Sequence, residues 1–224
     1  MGRLPVWLAL AVACLGILMI VAGGVALHSS FHTYSVSSDA MSPTLVHGDL
    51  VVGERVDSAA LRHGDVVLTD PTGWNLRGPV LKRVIGTGGD RIACCASGKV
   101  TINGQLLEEP YAPSANGGMP DYAVTVPAGR VFLVGDNRAD SIDSRMFLDQ
   151  AQGSLPASSA QMRVVWASRG GFEAGASKSL LVYLTVAGFG VIFLALGLIA
   201  LPITLVISAR RSRAARSAQW PAEL

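Results

Sequence analysis

The octapeptide Val100-Thr101-Ile102-Asn103-Gly104-Gln105-Leu106-Leu107 decides the class of the chain around it. Asn-Gly is the dipeptide that most readily takes the two positive φ angles of a type I′ turn. Apolar and β-branched residues on both sides make the stretch read as a tight β-hairpin. Outward from it lie further short β-rich runs: Leu50–Val56, Asp65–Thr69, Val80–Ile85, Arg91–Cys95, Lys99–Ile102, Tyr122–Val126, Arg130–Val134 and Met162–Ala167. Gly, Pro, Asn and Asp separate them, as strands require. No long 3.6-residue period interrupts the series. Glu108 to Asp121 is rich in Pro, Gly, Ser and Asn and reads as a mobile surface loop. The spacing predicts a mainly β domain, an antiparallel β-sheet or barrel-like fold. About 150 residues are enough for such a domain to bury its own core.

Further outward the pattern changes. Pro5 to Leu27 is 23 residues without a charged side chain, and Leu180 to Ile207 is 28. At 1.5 Å per residue each exceeds a hydrocarbon core of about 30 Å. Pro202, near the end of the second run, kinks such a helix without forbidding it. Gly24-Val25-Ala26 offers small residues for cleavage of a signal peptide, but an apolar signal core is only about 7–15 residues. The first run therefore reads as an uncleaved anchor. These spans account for a composition that is 50% apolar and only 15% charged, against roughly 25% in soluble domains. That balance excludes a disordered chain and a plain soluble one.

The expected organisation is a cytoplasmic N-terminus (1–4), a first transmembrane helix (5–27), an extracytoplasmic domain (28–178), a second transmembrane helix (179–207) and a basic cytoplasmic tail (208–224). Orientation follows from Arg3 before the first span and Arg210, Arg211, Arg213 and Arg216 after the second. Residues 28–178 hold 13 Lys and Arg against 15 Asp and Glu. The net charge of +2 thus belongs to the tails and does not argue for a nucleic-acid partner.

Three stretches carry chemistry. They are Ser38-Asp39-Ala40-Met41-Ser42-Pro43-Thr44-Leu45, Leu81-Lys82-Arg83-Val84-Ile85-Gly86, and Gly135-Asp136-Asn137-Arg138-Ala139-Asp140-Ser141-Ile142-Asp143-Ser144-Arg145. With Gly64-Asp65-Val66-Val67 they resemble, in the same order, the bacterial signal peptidase I family. The two-helix layout is similar to Gram-positive and actinobacterial members. The resemblance implies a membrane serine–lysine endopeptidase that removes signal peptides from exported preproteins, with the lipid bilayer as its setting and no cofactor. It implies Lys82 as general base, Ser141 as the hydroxyl that orients it, and Asp143 and Arg145 as an ion pair bracing the site. Ser38 and the backbone N–H of Ala40 match the oxyanion hole, while Met41 and Pro43 match the substrate cleft. The lysine role has a physical basis, because a serine needs a base beside it and only a desolvated lysine is neutral near neutral pH. Asp136 and Asn137 read as caps of the turn.

One position departs from the pattern. The family motif reads Ser-Met-x-Pro-Thr-Leu with the serine as nucleophile, and here that position is Ala40. A methyl group has no lone pair, so this chain as written forms no acyl-enzyme there. On an extended segment Ser42 shares a face with residue 40 but lies about 6–7 Å further along, and Ser38 is displaced as far the other way. Either the alanine is a deliberate replacement of the serine, or the chain is a natural pseudo-protease that binds signal peptides or pilin-like partners without cutting. Adjacent Cys94 and Cys95 leave open a vicinal disulfide, two thiols or pairing between chains. His28, His32, His47 and His63 show no metal-binding spacing, so no metal is expected.

Overall fold

The computed structural model describes residues 6–96, 98–114, 116–169 and 178–217. The tail 1–4, the Gly/Ala/Ser linker over 170–177 and the last seven residues lie outside the described residues. The chain divides into a helical unit made from its two ends and a β unit over residues 30–177.

The helical unit consists of α1 (Val6–Ser30) and α2 (Lys178–Ser217). Both are long and apolar enough to cross a membrane. They pack antiparallel through small residues. A methyl placed on Gly16 would stand 2.4 Å from the Leu194 amide, and one on Gly197 would stand 2.6 Å from the Ala13 Cβ. Without side chains there the two backbones approach closely, which replaces the hydrophobic drive that lipid does not supply. α2 continues ten residues beyond the expected end at Ile207. The extension is Ser, Ala and Arg with no Gly or Pro, so nothing in its propensities stops a helix. Pro202 is accommodated inside it.

The β unit contains β1 (Phe31–Ser35), β2 (Leu50–Arg55), β3 (Val66–Thr69), β4 (Val80–Thr87), β5 (Arg91–Ala96), β6 (Lys99–Ile102), β7 (Gln105–Leu106), β8 (Tyr122–Thr125), β9 (Arg130–Val134), β10 (Leu155–Pro156) and β11 (Ala160–Ala167). All pairings are antiparallel. One sheet runs β1-β2-β11-β3-β4-β9-β10 and the other β7-β6-β5-β8. Among the described residues no pairing joins β1 to β10, so the architecture is two sheets with edges. All eight β-rich runs are strands, with ends shifted by at most two residues. Asn103 and Gly104 take φ of 53° and 83°, and Thr101 pairs with Leu106 across them. Cys94 and Cys95 are joined to each other by a disulfide.

Strand β4 is the pivot of the core, and it is buried from Leu81 to Gly86. It supplies one residue to each of three apolar clusters. Leu81 packs with Val36, Met41, Leu45 and Val66. Val84 packs with Val67, Trp74, Leu133 and Leu155. Ile85 packs with Ile92, Val100, Tyr122 and Phe132, which ties the two sheets together. A strand covered on both faces leaves little water near any polar side chain it carries, and Lys82 is on this strand.

Glu108 to Asp121, expected as a mobile surface loop, makes three inward contacts. The Glu109 side chain and Asn116 are buried, and Tyr111 lies against a guanidinium. Its turn-forming composition bends the backbone, while these three residues fasten it inward.

Candidate active site

Lys82 pairs across β3 with Val67 and is 3% exposed. Its Nζ donates to the Ser141 hydroxyl at 2.9 Å. Burial pushes the amine below the ordinary lysine range; Asp143 opposes this, Arg145 adds to it, and Asp136 and Asp140 oppose it. The amine is therefore disposed to act as a base.

The segment holding residue 40 is coiled. Ser42 N–H donates to the Asp39 carbonyl and Leu45 N–H to the Met41 carbonyl, both at 2.9 Å. This corrects the extended geometry expected for residues 38–42, because turn hydrogen bonds replace strand spacing there. Met41 is also corrected as a cleft residue. At 1% exposure its side chain packs in the core among Val36, Leu45 and Leu81. Pro43 and Ser38 are exposed. Asn137 fastens the segment from the other side, its N–H donating to the Ala40 carbonyl at 3.1 Å and its Nδ2 to the Asp39 carbonyl at 3.2 Å.

Gly135 brings position 40 and Ser141 together. A methyl on Gly135 would stand 2.2 Å from the Ser141 Oγ and 2.5 Å from the Ala40 carbonyl oxygen. Only a residue without a side chain lets both groups close on this point. Residue 40, Ser141 and Lys82 are thereby gathered from stretches about 40 and 60 residues apart in the chain.

Three buried arginines frame this point. Arg145 grips Asp143 through Nε and Nη2, both at 2.8 Å, and Asp143 accepts the Gly135 N–H at 3.0 Å. Arg83 grips Asp136 at 2.8 and 2.6 Å, and Asp136 accepts the Thr44 hydroxyl at 2.6 Å. Arg138 Nε donates to the Gly135 carbonyl at 3.1 Å, and its Nη2 pairs with Glu109. Asp136 is thus an ion-pair partner inside the protein and does not cap an exposed turn, since burial leaves its carboxylate only Arg83 and Thr44 to satisfy it. Sequence reading missed Arg83, Arg138, Thr44 and Glu109. The available signal was a charged residue beside Lys82 in an otherwise apolar strand. Among the described residues no three His, Cys, Asp or Glu side chains gather to hold a metal ion.

Residues 7–167 match the family described as signal peptidase, peptidase S26. The chain belongs to that family. Signal peptidase I of Mycobacterium tuberculosis is 30% identical over 179 residues, covering 59% of this chain and 61% of that protein. Signal peptidase I of Bacillus caldolyticus is 33% identical over 132 residues, covering 52% of this chain and 70% of that protein. The chain thus spans about three fifths of the mycobacterial relative it matches. A solved signal peptidase I from Enterococcus faecalis is 27% identical and covers 46% of this chain and 95% of its own, with a TM-score of 0.38.

Proposed function

We propose that this chain is a signal peptidase I-type endopeptidase scaffold whose nucleophile position holds Ala40, so that it receives signal peptides and does not cut them. The observation that carries the reading is the buried Lys82 amine, hydrogen-bonded to Ser141 beside the point where residue 40 arrives. An idle buried amine costs stability, and its retention speaks for a site one side chain away from activity.

In the Ala40→Ser form, Lys82 takes the proton of the introduced hydroxyl, and that oxygen attacks the scissile carbonyl. The Ser38 hydroxyl and the N–H of residue 40 stabilise the oxyanion, each such donor being worth about 2.7–4 kcal/mol. The leaving amine takes a proton from the lysine. Water, activated by the same amine, then releases the acyl group. The substrate is an exported preprotein with small side chains before the cut, lying as an added strand. Asp143 and Arg145 hold the frame and take no part in proton transfer.

α1 and α2 anchor the β unit in the plasma membrane. The arginines flanking the two spans put both termini on the cytoplasmic side and residues 28–178 outside. The test is a cleavage assay of the folded Ala40→Ser protein in detergent with a synthetic signal-peptide substrate. The expected result is one cut after the small-residue motif, abolished by adding Lys82→Met. A folded Ala40→Ser protein that leaves the peptide whole overturns the reading.

A further inference from the structure

The three arginines that frame the site are each seated by the stretch that follows β7. Glu109 pairs with Arg138. The ring of Tyr111 lies 3.9 Å from the Arg83 guanidinium. The Asn116 carbonyl accepts Arg145 Nη1 at 2.9 Å. The seats are also linked to each other. The Tyr111 hydroxyl donates to Glu109 at 3.1 Å, and Asn116 Nδ2 closes the stretch onto the Met119 and Pro120 carbonyls. Gly117 lies so near the backbone of 138 that a methyl on it would stand 2.1 Å from the Arg138 carbonyl oxygen.

Each seat therefore leads inward by one short chain of contacts. Glu109 leads through Arg138 to the Gly135 carbonyl. Tyr111 leads through Arg83 to Asp136 and then to Thr44, four residues after Ala40. Asn116 leads through Arg145 to Asp143 and then to the Gly135 N–H. Two paths end on Gly135, where position 40 and Ser141 meet, and the third ends on Thr44 in the segment that follows residue 40. We propose that Glu109, Tyr111 and Asn116 form a positioning strap that sets the geometry and the local field of the lysine–serine site from outside its sequence motifs.

This inference rests on the catalytic reading above, and it deepens it. The strap acts on charge as well as on position. Lys82 is faced by Asp143, Arg145, Asp136 and Asp140 as well as by the Ser141 hydroxyl. Arg83 and Arg145, which the strap holds, govern how fully Asp136 and Asp143 are neutralised near the lysine. Replacing Tyr111 by Leu loosens Arg83, leaves Asp136 less neutralised and favours the protonated amine. Replacing Glu109 by Gln removes the charge that pairs with Arg138 and loosens the guanidinium that holds the Gly135 carbonyl. The first change acts on a charge that faces the lysine and the second on the Gly135 backbone, so the two separate the strap's effects on field and on position.

Two measurements test the strap. In the Ala40→Ser protein, Tyr111→Leu and Glu109→Gln are expected to lower kcat about tenfold to a hundredfold, as a displacement of about 1 Å does, with KM within about twofold. Tyr111→Phe keeps the ring over Arg83 and is expected to retain the parent kcat. In the unaltered Ala40 protein, the Lys82 side-chain NMR signal is titrated in parent and variants. The apparent pKa is expected to rise in Tyr111→Leu, because Arg83 then neutralises Asp136 less fully. Variants that lose thermal stability yet keep the parent kcat and the parent Lys82 titration overturn the strap. If Ala40→Ser itself does not cleave, the proposed activity fails, and the titration in the Ala40 protein still decides the strap. If Tyr111→Leu does not fold, Glu109→Gln, which keeps the shape of the side chain, gives the decisive reading.

Discussion

Gly135→Ala is the smallest change that attacks the point where the site assembles. The added methyl would stand 2.2 Å from the Ser141 Oγ, 2.6 Å from its Cβ and 2.5 Å from the Ala40 carbonyl oxygen. Ordinary contacts of such atoms are about 3.5 Å or more, so Ser141 and the residue-40 backbone must each retreat by about 1 Å. Two hydrogen bonds are strained by that retreat, from Lys82 to Ser141 and from Asn137 to the Ala40 carbonyl. Overpacking of this kind costs about 1–3 kcal/mol, and each hydrogen bond is worth about 1 kcal/mol. The expected loss is about 2–4 kcal/mol, read by denaturant unfolding of the full chain in detergent. In the Ala40→Ser background the same displacement is expected to lower cleavage about a hundredfold. Gly24→Ala and Gly188→Ala are the controls, because nothing lies within 4 Å of a methyl at either position. A Gly135→Ala protein with the parent's stability and, in the serine background, the parent's rate would refute the claimed convergence on Gly135.

Other expectations follow from the buried charges. Lys82→Met is expected to stabilise the protein by about 1–2 kcal/mol at pH 7, the relief of burying a charge less the bond lost by Ser141. The folded protein releases the lysine proton at lower pH than the unfolded chain, so parent stability rises with pH between the two values. The advantage of methionine should therefore shrink toward pH 10, and an advantage constant between pH 7 and pH 10 contradicts the buried charge. Arg145→Met leaves Asp143 wholly buried without its partner and is expected to cost about 3–5 kcal/mol in the same unfolding assay. Asp90 is raised by burial but held at about 2 by hydrogen bonds from Thr87, His63 and Asn103. Its contribution is complete above the usual carboxylate range near pH 4 and is lost as pH falls through about 2. Asp90→Asn is expected to flatten the acid end of the unfolding profile between pH 4 and pH 2, and an unchanged profile counts against that bonding.

Much of the β unit was legible because alternation and turn residues are local signals. The Asn103-Gly104 hairpin needed only eight residues of text. β1 escaped because Phe31–Ser35 follows α1 without a turn residue between them and lies at a sheet edge, where half-exposed residues show no alternation. β10 escaped because it is two residues long and includes Pro156. The site divides the same way. Lys82, Ser141, Asp143 and Arg145 sit in contiguous motifs. Tyr111 and Glu109 meet Arg83 and Arg138 across 28 and 29 residues of chain, and no periodicity records such a pairing. The turn at 39–45 was misjudged because Ser-Asp-Ala-Met-Ser carries no signal separating a coil from a strand. Hydrogen bonds back to Asp39 and Met41 decide it.

The length of α1 bears on the small residues near its end. The small residues Gly24-Val25-Ala26 form a sequence of the kind that signal peptidases sever, yet the helix runs past them to Ser30. Gly23 is packed against Ala187 of α2. A peptide must be drawn out into a strand before a cleft of this type can read it, so cutting here means first unwinding the last turns of α1 and peeling them from their partner helix. The helix thus keeps Gly24-Val25-Ala26 out of the extended conformation.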